Sequence, residues 1–309
     1  MVKNHHIYEK LVTIASEKNV MVNKSLKEYT YTRLGGLADF FVTPETYEQV
    51  QQIVKLANQE KIAFTLLGNG SNLIIRDGGI RGIVMNLSNL DNIQTEGTKL
   101  IAQGGATIIQ ASKDALQKRL TGLEFACGIP GSVGGALFMN AGAYGGEIKD
   151  VLESTIVVDR SGNLKTLLAS DLDLQYRSSN IPDNGYIVLE ATFQLEKGDF
   201  EEIKAVMDDL TFKRESKQPL EYPSCGSVFK RPPGHYAGKL IQDSGLQGKQ
   251  IGGAQVSLKH AGFIVNNEEC TAQDYIDLIH YVQMKVKEKY DITLEREVKI
   301  IGEDLVTKH

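Results

Sequence analysis

Two glycine-rich stretches constrain the fold of this chain more than any other feature. The first is Gly68-Asn-Gly-Ser-Asn-Leu73, and the second runs from Gly128-Ile-Pro-Gly-Ser-Val-Gly-Gly135 into Met139-Asn-Ala-Gly-Ala-Tyr-Gly-Gly146. Glycine permits tight loops and lets backbone N–H groups approach an anion, because no side chain blocks the way. One such loop alone is more often only a turn. Two dense loops with hydroxyl and amide side chains predict a site for a phosphorylated cofactor, with a pyrophosphate as the anion.

Two common phosphate-binding motifs do not match. The first stretch has Leu73 where the dinucleotide fingerprint needs its third Gly or an Ala. The segment Gly234-His-Tyr-Ala-Gly-Lys-Leu240 is one residue too short before Gly-Lys for a P-loop, and it has Leu240 in place of Ser or Thr. A Rossmann dinucleotide domain and an ordinary nucleotide triphosphatase are therefore disfavoured.

The apolar pattern around these loops predicts mixed helices and strands. A helix should follow Thr43-Pro44, and a second should run from Thr107 to Leu120 and stop at Gly122, a residue suited to the left-handed conformation beyond a helix end. Short apolar runs predict strands at residues 63–67, 73–75, 83–87, 156–158 and 187–195.

A domain boundary is predicted just before a helix that Asp199 caps, with Ile203, Val206, Met207 and Leu210 on one stripe. The last third should add a strand at 263–265, a helix over 271–290 with a Thr271 and Asp274 capping pair, and a strand at 298–301. We therefore expect one domain over residues 1–198 and another over 199–309.

Composition excludes several functions. The 309 residues include 34 Lys and Arg against 39 Asp and Glu, a net charge of −5, so we expect no general affinity for nucleic acid or anionic membranes. The three cysteines lie in no CxxC pair, and no histidine–carboxylate spacing resembles a metal site. The amino terminus lacks an apolar signal core, and no segment is long and apolar enough to span a bilayer. A reduced, cytoplasmic, metal-independent protein is the expectation.

Several motifs, in their order and spacing, resemble the UDP-N-acetylenolpyruvoylglucosamine reductases, and the resemblance covers nearly the whole chain from Thr32 onward. The motifs are Thr32-Arg-Leu-Gly-Gly36, both glycine-rich stretches, Tyr176-Arg-Ser-Ser179, Cys225-Gly-Ser-Val-Phe-Lys230 and Leu294-Glu-Arg-Glu-Val-Lys-Ile-Ile-Gly302. The resemblance implies an FAD-binding domain of the vanillyl-alcohol-oxidase (PCMH) type, with two α+β subdomains divided near residue 88. A smaller α+β substrate-binding domain should follow. The uninterrupted spacing is similar to the Gram-positive-type branch of the family.

This resemblance implies non-covalent FAD, NADPH as hydride donor, and reduction of UDP-N-acetylglucosamine enolpyruvate to UDP-N-acetylmuramate in peptidoglycan precursor synthesis. No nucleic acid, membrane or obligate protein partner is expected. The cofactor-binding candidates are Arg33, Gly68, Asn69, Gly70, Ser71, Asn72, Leu73, Gly128, Ile129, Pro130, Gly131, Ser132, Gly134, Gly135, Asn140, Ala141, Gly142 and Ala143.

The resemblance also assigns three catalytic residues. Arg177 could hold a carboxylate through two parallel hydrogen bonds as negative charge develops. Ser227 matches the proton donor, and Glu297 could assist if burial keeps it protonated. Glu297 is chosen over Glu295 by resemblance alone, since on a strand both would face the same side. Taken singly, the arginine and the glutamate are more often surface ion-pair residues and the serine a turn residue.

The uridine diphosphate should need cations of its own. The substrate-binding candidates are Tyr176, Arg214, Lys217, Lys230, Arg231 and His260. A charged, solvated helix end is an equally good explanation for the basic candidates Arg214, Lys217, Arg231 and His260. Lys230 could also act as a neighbour of Ser227, whereas Cys225 is better explained as a small buried or partly exposed thiol than as a nucleophile.

Two rival functions remain open at this point. One is an oxidase or dehydrogenase of the same flavin superfamily, which would pass electrons to oxygen or a quinone. The other is a UDP-sugar binding module that keeps the fold and binds its ligand without turnover.

Overall fold

The computed structural model describes residues 2–305, with side chains from residue 5 onward. Its helices are α1 (Val2–Ala15), α2 (Tyr47–Glu60), α3 (Ile108–Gln117), α4 (Val133–Phe138), α5 (Ile181–Asn184), α6 (Phe200–Lys217), α7 (Ala237–Asp243) and α8 (Ala272–Tyr290). None of the helices in this range is both long and apolar enough to cross a bilayer.

The strands are β1 (Val20–Ser25), β2 (Leu37–Val42), β3 (Phe64–Leu67), β4 (Leu73–Ile75), β5 (Ile80–Asn86), β6 (Ile93–Glu96), β7 (Lys99–Gln103), β8 (Leu120–Thr121), β9 (Gly142–Ala143), β10 (Gly146–Glu147), β11 (Leu152–Val158), β12 (Leu164–Leu168), β13 (Ile187–Gln194), β14 (Glu196–Lys197), β15 (Ser224–Ser227), β16 (Gln250–Ile251), β17 (Ala254–Val256), β18 (Phe263–Asn266) and β19 (Lys299–Ile301).

The chain divides into two compact units. The first contains residues up to 22 together with 39–69 and 82–213, and the second contains 23–38, 70–81 and 214 onward. This division differs from the predicted boundary at 198/199, because most of α6 belongs to the first unit and two short early segments belong to the second. Within the first unit, α6 buries Ile203 and Met207. The sequence pattern could not assign residues 23–38 and 70–81 to the second unit, because that assignment depends on pairing between distant parts of the chain.

The first unit contains a five-stranded antiparallel sheet in the order β12-β11-β13-β7-β6. Its central strand β13 buries alternate residues over its second half, as the sequence pattern predicts, and Ala191 lies opposite Ala102 of β7. Helices α3 and α4 supply Ile108, Ala111 and Leu137 to the same core cluster. The alternation thus places one face of the sheet against these helices.

A second core cluster in the first unit lies beside the sheet β1-β2-β5-β3, in which β3 and β5 are parallel. Helix α2 is capped by Thr46, whose side chain accepts from Gln49 N, and it buries Val50, Ile53 and Ala57. Most members of this cluster precede residue 91. The subdomain division near residue 88 stays a prediction.

The second unit is built on the sheet β15-β18-β17-β16 and the two-stranded parallel pair β19-β4. Helix α8 begins at Thr271 with a full capping box from Asp274, as predicted, and buries Tyr275 completely. The carboxylate of Asp77 accepts from Ala272 N at 2.9 Å and from Gln273 N at 3.1 Å. These bonds satisfy backbone donors that the first turn of a helix leaves unpaired.

Each predicted helix is a helix in the structure and each predicted strand is a strand, but the predicted end of one helix is wrong. Helix α3 ends at Gln117 rather than near Leu120, because Leu120 and Thr121 form β8 and pair with β14. The left-handed residue after this helix is Arg119, with φ 56°, and Gly122, with φ 123°, belongs to the following loop. Strand pairing therefore overrides the helical pattern in this segment.

Replacing Phe193 by Ala should destabilise the protein strongly. Phe193 is fully buried in the core below β13, and such a deletion removes apolar contacts and leaves a cavity, at a cost of about 3–5 kcal/mol. Phe212→Ala is the matched control, because Phe212 is 70% exposed. Urea unfolding followed by circular dichroism should give a much lower midpoint for Phe193→Ala alone. Equal midpoints would contradict the assigned core.

Candidate active site

The two glycine-rich stretches meet within the first unit. A Cβ on Gly68 would lie 3.0 Å from Ser132 Oγ, so the end of β3 and the loop before α4 are in close approach. Ser132 caps α4 by accepting from Gly135 N at 3.1 Å. Gly131 and Gly134 are held by backbone bonds, Ile108 N to Gly131 O and Gly134 N to Gly104 O. The structure thus brings Gly68 of the first glycine-rich stretch close to Ser132 of the second.

Asn140 follows α4 and is fully buried. Its Nδ2 donates to Glu147 Oε2 at 2.8 Å and to Gln175 O at 3.1 Å, and its Oδ1 accepts from Lys149 N at 2.9 Å. This side chain, predicted to bind the cofactor, is therefore engaged with other parts of the same unit. Its neighbours Gly142 and Ala143 form β9, which pairs with β10.

Arg177 lies in the tight turn that joins Gln175 to Ser178. These two residues exchange backbone hydrogen bonds, with Gln175 N to Ser178 O at 3.0 Å and Ser178 N to Gln175 O at 3.1 Å. Tyr176 and Arg177 are the central residues, and Arg177 has a left-handed φ of 54°. The Arg177 guanidinium lies 5.5 Å from the ring centre of Tyr176, which is 61% exposed. The turn therefore holds a cation and an aromatic ring at its tip.

In the second unit, the loop that carries Arg33 packs against Gly70. Tyr31 N donates to Gly70 O at 3.1 Å, and a Cβ on Gly70 would lie 2.2 Å from Tyr29 O. Only glycine fits at this close approach, where φ is also positive at 63°. Arg33 itself is exposed and has φ 55°. The second unit thus joins Arg33 to the remainder of the first glycine-rich stretch.

Ser227 and the Glu297 segment are neighbours in the second unit. Ser227 ends β15 and is exposed, and Glu297 N donates to the carbonyl of the next residue, Val228, at 2.9 Å. Gly226 has φ 78°, and the register of β15 against β18 shifts between Ser224 and Ser227. Such a bulge re-aims the side chain that follows it. Gly226 is a residue that the sequence analysis missed, although Gly before a candidate serine was a usable signal.

Asn72 connects the glycine-rich stretch to this pair. Its backbone carbonyl accepts from Lys299 N at 3.1 Å, and its Nδ2 lies 3.5 Å from Glu297 O. Asn72 directly precedes β4, whose Leu73 lies opposite Lys299 of β19. A predicted cofactor residue and a predicted catalytic residue are therefore adjacent.

Glu295 and Glu297 occupy different environments. Glu295 is exposed and pairs with Lys230, whereas Glu297 is partly buried. The expectation that both face the same side of a strand assumed a regular strand. The segment instead makes one isolated bridge, between Arg296 and Phe229, with β19 beginning only at Lys299. The ion pair also engages Lys230, which was predicted to serve the substrate or Ser227.

The other basic candidates are spread over the second unit. Arg214 and Lys217 lie in the last turn of α6. Arg231 stacks over Tyr236 with 4.0 Å between the guanidinium carbon and the ring centre, which leaves its N–H edges able to donate. His260 Nδ1 accepts from Gly262 N at 3.1 Å, and burial lowers the pKa of His260 below its ordinary value. A neutral imidazole follows at pH 7, so His260 can offer an Nε2–H donor but not a full positive charge.

Cys225 is a buried thiol next to the candidate serine. Its Sγ lies 3.3 Å from Tyr275 Oη, and the Tyr275 hydroxyl donates to Ile264 O. Burial raises the pKa of Cys225 to about 12, so the nucleophilic thiolate is not populated at neutral pH. Its interpretation as a buried structural thiol agrees with this environment.

Two family models match separate parts of the chain. One is described as an FAD binding domain and matches residues 38–168, and the other is described as UDP-N-acetylenolpyruvoylglucosamine reductase, C-terminal domain, and matches residues 218–301. The fold and the glycine-rich loops define an FAD-dependent oxidoreductase with a PCMH-type FAD-binding fold. The predicted α+β fold class is confirmed.

Similar proteins of known name identify the family within this class of oxidoreductase. The chain is 68% identical to the UDP-N-acetylenolpyruvoylglucosamine reductase of Oceanobacillus iheyensis and covers 99% of it with 98% of its own length. It is 61% identical to that of Geobacillus thermodenitrificans, covering 100% of it with 98% of its own length. The crystal structure of UDP-N-acetylenolpyruvylglucosamine reductase from Thermus caldophilus superposes with a TM-score of 0.78 at 33% identity, over 91% of this chain and 97% of that one. The chain belongs to the UDP-N-acetylenolpyruvoylglucosamine reductase family.

His260 should make stability depend on pH. Because its folded pKa lies below the ordinary 6.5, the unfolded chain takes up a proton first as pH falls below that value, and stability is lost there. His260→Asn keeps an acceptor near the Nδ1 position and removes the titration. Urea unfolding from about pH 7.5 to about pH 5.5 should show a smaller loss of stability for the variant than for the wild type. An equal or steeper loss in the variant would contradict this.

Proposed function

We propose that this chain reduces the enolpyruvyl group of UDP-N-acetylglucosamine enolpyruvate to give UDP-N-acetylmuramate, with FAD as cofactor and NADPH as hydride donor. The proposal is carried by one observation in the second unit: Asn72 of a glycine-rich stretch, Ser227 and Glu297 are neighbours although they are distant in sequence. The family membership supplies the substrate class, a small UDP-sugar.

The residues present fit an FAD. A side chain on Gly70 would collide with Tyr29 O, and a Cβ on Gly68 would lie only 3.0 Å from Ser132 Oγ. Glycines at such positions let backbone N–H groups approach an anion, which suits a pyrophosphate. Gly131, Ser132 and Asn72 are the further residues that would hold the cofactor. When bound and reduced by NADPH, the flavin would supply the hydride that adds to the substrate double bond.

Arg177 is proposed to bind the substrate carboxylate. Hydride addition to the terminal carbon of an enol ether conjugated to a carboxylate moves negative charge toward that carboxylate. A guanidinium remains charged and can match both carboxylate oxygens with parallel N–H groups. Arg177 lies at the tip of a turn that is closed by backbone hydrogen bonds between Gln175 and Ser178, and these bonds fix the position of its backbone.

Ser227 is proposed to deliver the proton to the adjacent carbon. A hydroxyl is a weak acid in water, but a carbanion is a strong base, so a well-placed serine suffices. Glu297, partly buried and held by its backbone to Val228, is proposed to assist as a protonated donor, because an ionised carboxylate would repel the intermediate. The exposed Glu295 is already paired with Lys230 and is a poorer candidate.

The diphosphate is proposed to bind basic residues of the second unit. Arg214, Lys217 and Arg231 retain their positive charge, while Lys230 would exchange its Glu295 partner for a phosphate oxygen. His260 is proposed to donate one neutral hydrogen bond. Tyr176 is the aromatic candidate on the turn of Arg177. The reaction uses small molecules alone, and we propose a cytoplasmic location with no nucleic acid, membrane or obligate protein partner.

The acceptor of the electrons distinguishes this proposal from its rivals. Protein loaded with FAD should be yellow, bleach with NADPH under anaerobic conditions, and regain colour when the enolpyruvyl sugar nucleotide is added. An oxidase would recolour with oxygen or a quinone but not with this substrate. A binding module would bind the sugar nucleotide without any change in colour. Absorbance at the flavin band measures all three outcomes.

Ser227→Ala should separate the two half-reactions. Flavin reduction by NADPH should stay near the wild-type rate, while recolouring by the enolpyruvyl substrate should slow on the order of 10²–10⁴-fold, because the protonation step loses its donor. Ser224→Ala, in the same strand, is the control and should behave as wild type. Anaerobic stopped-flow absorbance measures both rates. Equal slowing of both half-reactions would contradict the role of Ser227.

A further inference from the structure

Asn140 uses nearly all of its hydrogen-bonding capacity inside the first unit. Both amide hydrogens are donated, to the Glu147 carboxylate and to the Gln175 carbonyl, and the amide oxygen accepts from Lys149 N. The acceptor and donor partners fix which way the amide faces. A fully buried side chain with this set of partners acts as a brace between segments.

One of these partners belongs to the turn that carries Arg177. Gln175 is the first residue of that turn, and its carbonyl accepts both from Asn140 Nδ2 at 3.1 Å and from Ser178 N at 3.1 Å. On the other side of the turn, Ser179 Oγ donates to Phe138 O at 2.7 Å. The segment from Phe138 to Asn140 therefore grips the turn before and after Tyr176 and Arg177.

The acceptor on the other side of Asn140 is also held in place. Glu147 pairs with Lys149, and its backbone N donates to Asp150 Oδ2 at 2.9 Å within a capping box. An ionised acceptor makes the hydrogen bond from Asn140 stronger than one between neutral groups. The brace thus runs from a fixed carboxylate through Asn140 to the turn.

Backbone strain makes this brace consequential. Arg177 has φ 54°, in the left-handed region that a long side chain adopts at a cost, whereas Asn140, with φ 42°, is a residue type that adopts this region more readily. A strained turn persists only where its surroundings hold it. Without the bond to Gln175, the turn could relax and move the guanidinium.

We propose that Asn140 is a positioning residue for Arg177, which it holds in place through the Gln175 carbonyl. This inference rests on the proposed role of Arg177 and refines the sequence-based expectation that Asn140 binds the cofactor. The side chain serves the substrate half-reaction, while Gly131 and Ser132, earlier in the same glycine-rich stretch, serve the flavin. A displacement of about 1 Å at a catalytic group can slow a reaction on the order of 10²-fold.

Asn140→Gly is the first test, because glycine accepts the positive φ and lacks the amide that forms the brace. Asn23→Gly is the matched control, since Asn23 is exposed and also has a positive φ, of 52°. Glu147→Ala is a second route that removes the acceptor and leaves Asn140 in place. Arg177→Lys and the double variant with Asn140→Gly complete a cycle that measures coupling.

The flavin content and the rate of bleaching by NADPH should stay within about twofold of wild type in Asn140→Gly, while recolouring by the enolpyruvyl substrate slows on the order of 10–100-fold. Glu147→Ala should slow the same step. In the double variant, the loss should be smaller than the product of the single losses, because a lysine makes no use of a precisely held fork. Asn23→Gly should match wild type.

Loss of flavin binding, or equal slowing of both half-reactions, would overturn the proposal in favour of a cofactor contact. Normal recolouring in Asn140→Gly alongside a slow Arg177→Lys would overturn the positioning role and leave the proposed function intact. Equal slowing in Asn23→Gly would also overturn it. Failure of the wild type itself to recolour with the enolpyruvyl substrate would instead reject the proposed function.

Discussion

The parallel pairing of β4 with β19 is the constraint on which the second unit depends. The two strands are only three residues long, yet they join segments more than 200 residues apart and set Leu73 opposite Lys299. This register places Asn72 beside Glu297. A slip of one residue would turn every side chain of β19 to the other face. Ile300 of β19 packs against the core of this unit, and this contact opposes such a slip.

A comparable constraint in the first unit comes from a buried polar group. Asn140 is enclosed by protein, so each of its amide atoms needs a partner, and an unpaired one would cost about 1–3 kcal/mol. Meeting that requirement ties the segment after α4 to the turn of Arg177. The same demand that makes a buried amide expensive therefore holds the turn that carries Arg177, the residue proposed to bind the substrate carboxylate.

Much of the fold was predictable because the local signals agreed with one another. Three elements could be identified from the sequence alone: α8 from the capping pair Thr271 and Asp274, β13 from its alternation, and α2 from its periodicity. The prediction was wrong where long-range pairing prevailed, as at the end of α3, where β8 takes residues that the pattern gave to the helix. The environment of Glu295 could not be predicted from the sequence either, because it depends on an ion pair with Lys230 from another segment.

The sequence by itself determined the chemistry that the chain carries: glycines that allow close backbone approach, and an arginine, a serine and a glutamate in motifs that resemble one family. Only the tertiary structure decided which groups meet. It placed Ser227 beside the Glu297 segment, bonded the Asn140 side chain to the turn that carries Arg177, and lowered the pKa of His260 through burial. The physical reason is that residue type and spacing set local conformation, whereas burial and pairing between distant segments set the environment in which a side chain acts.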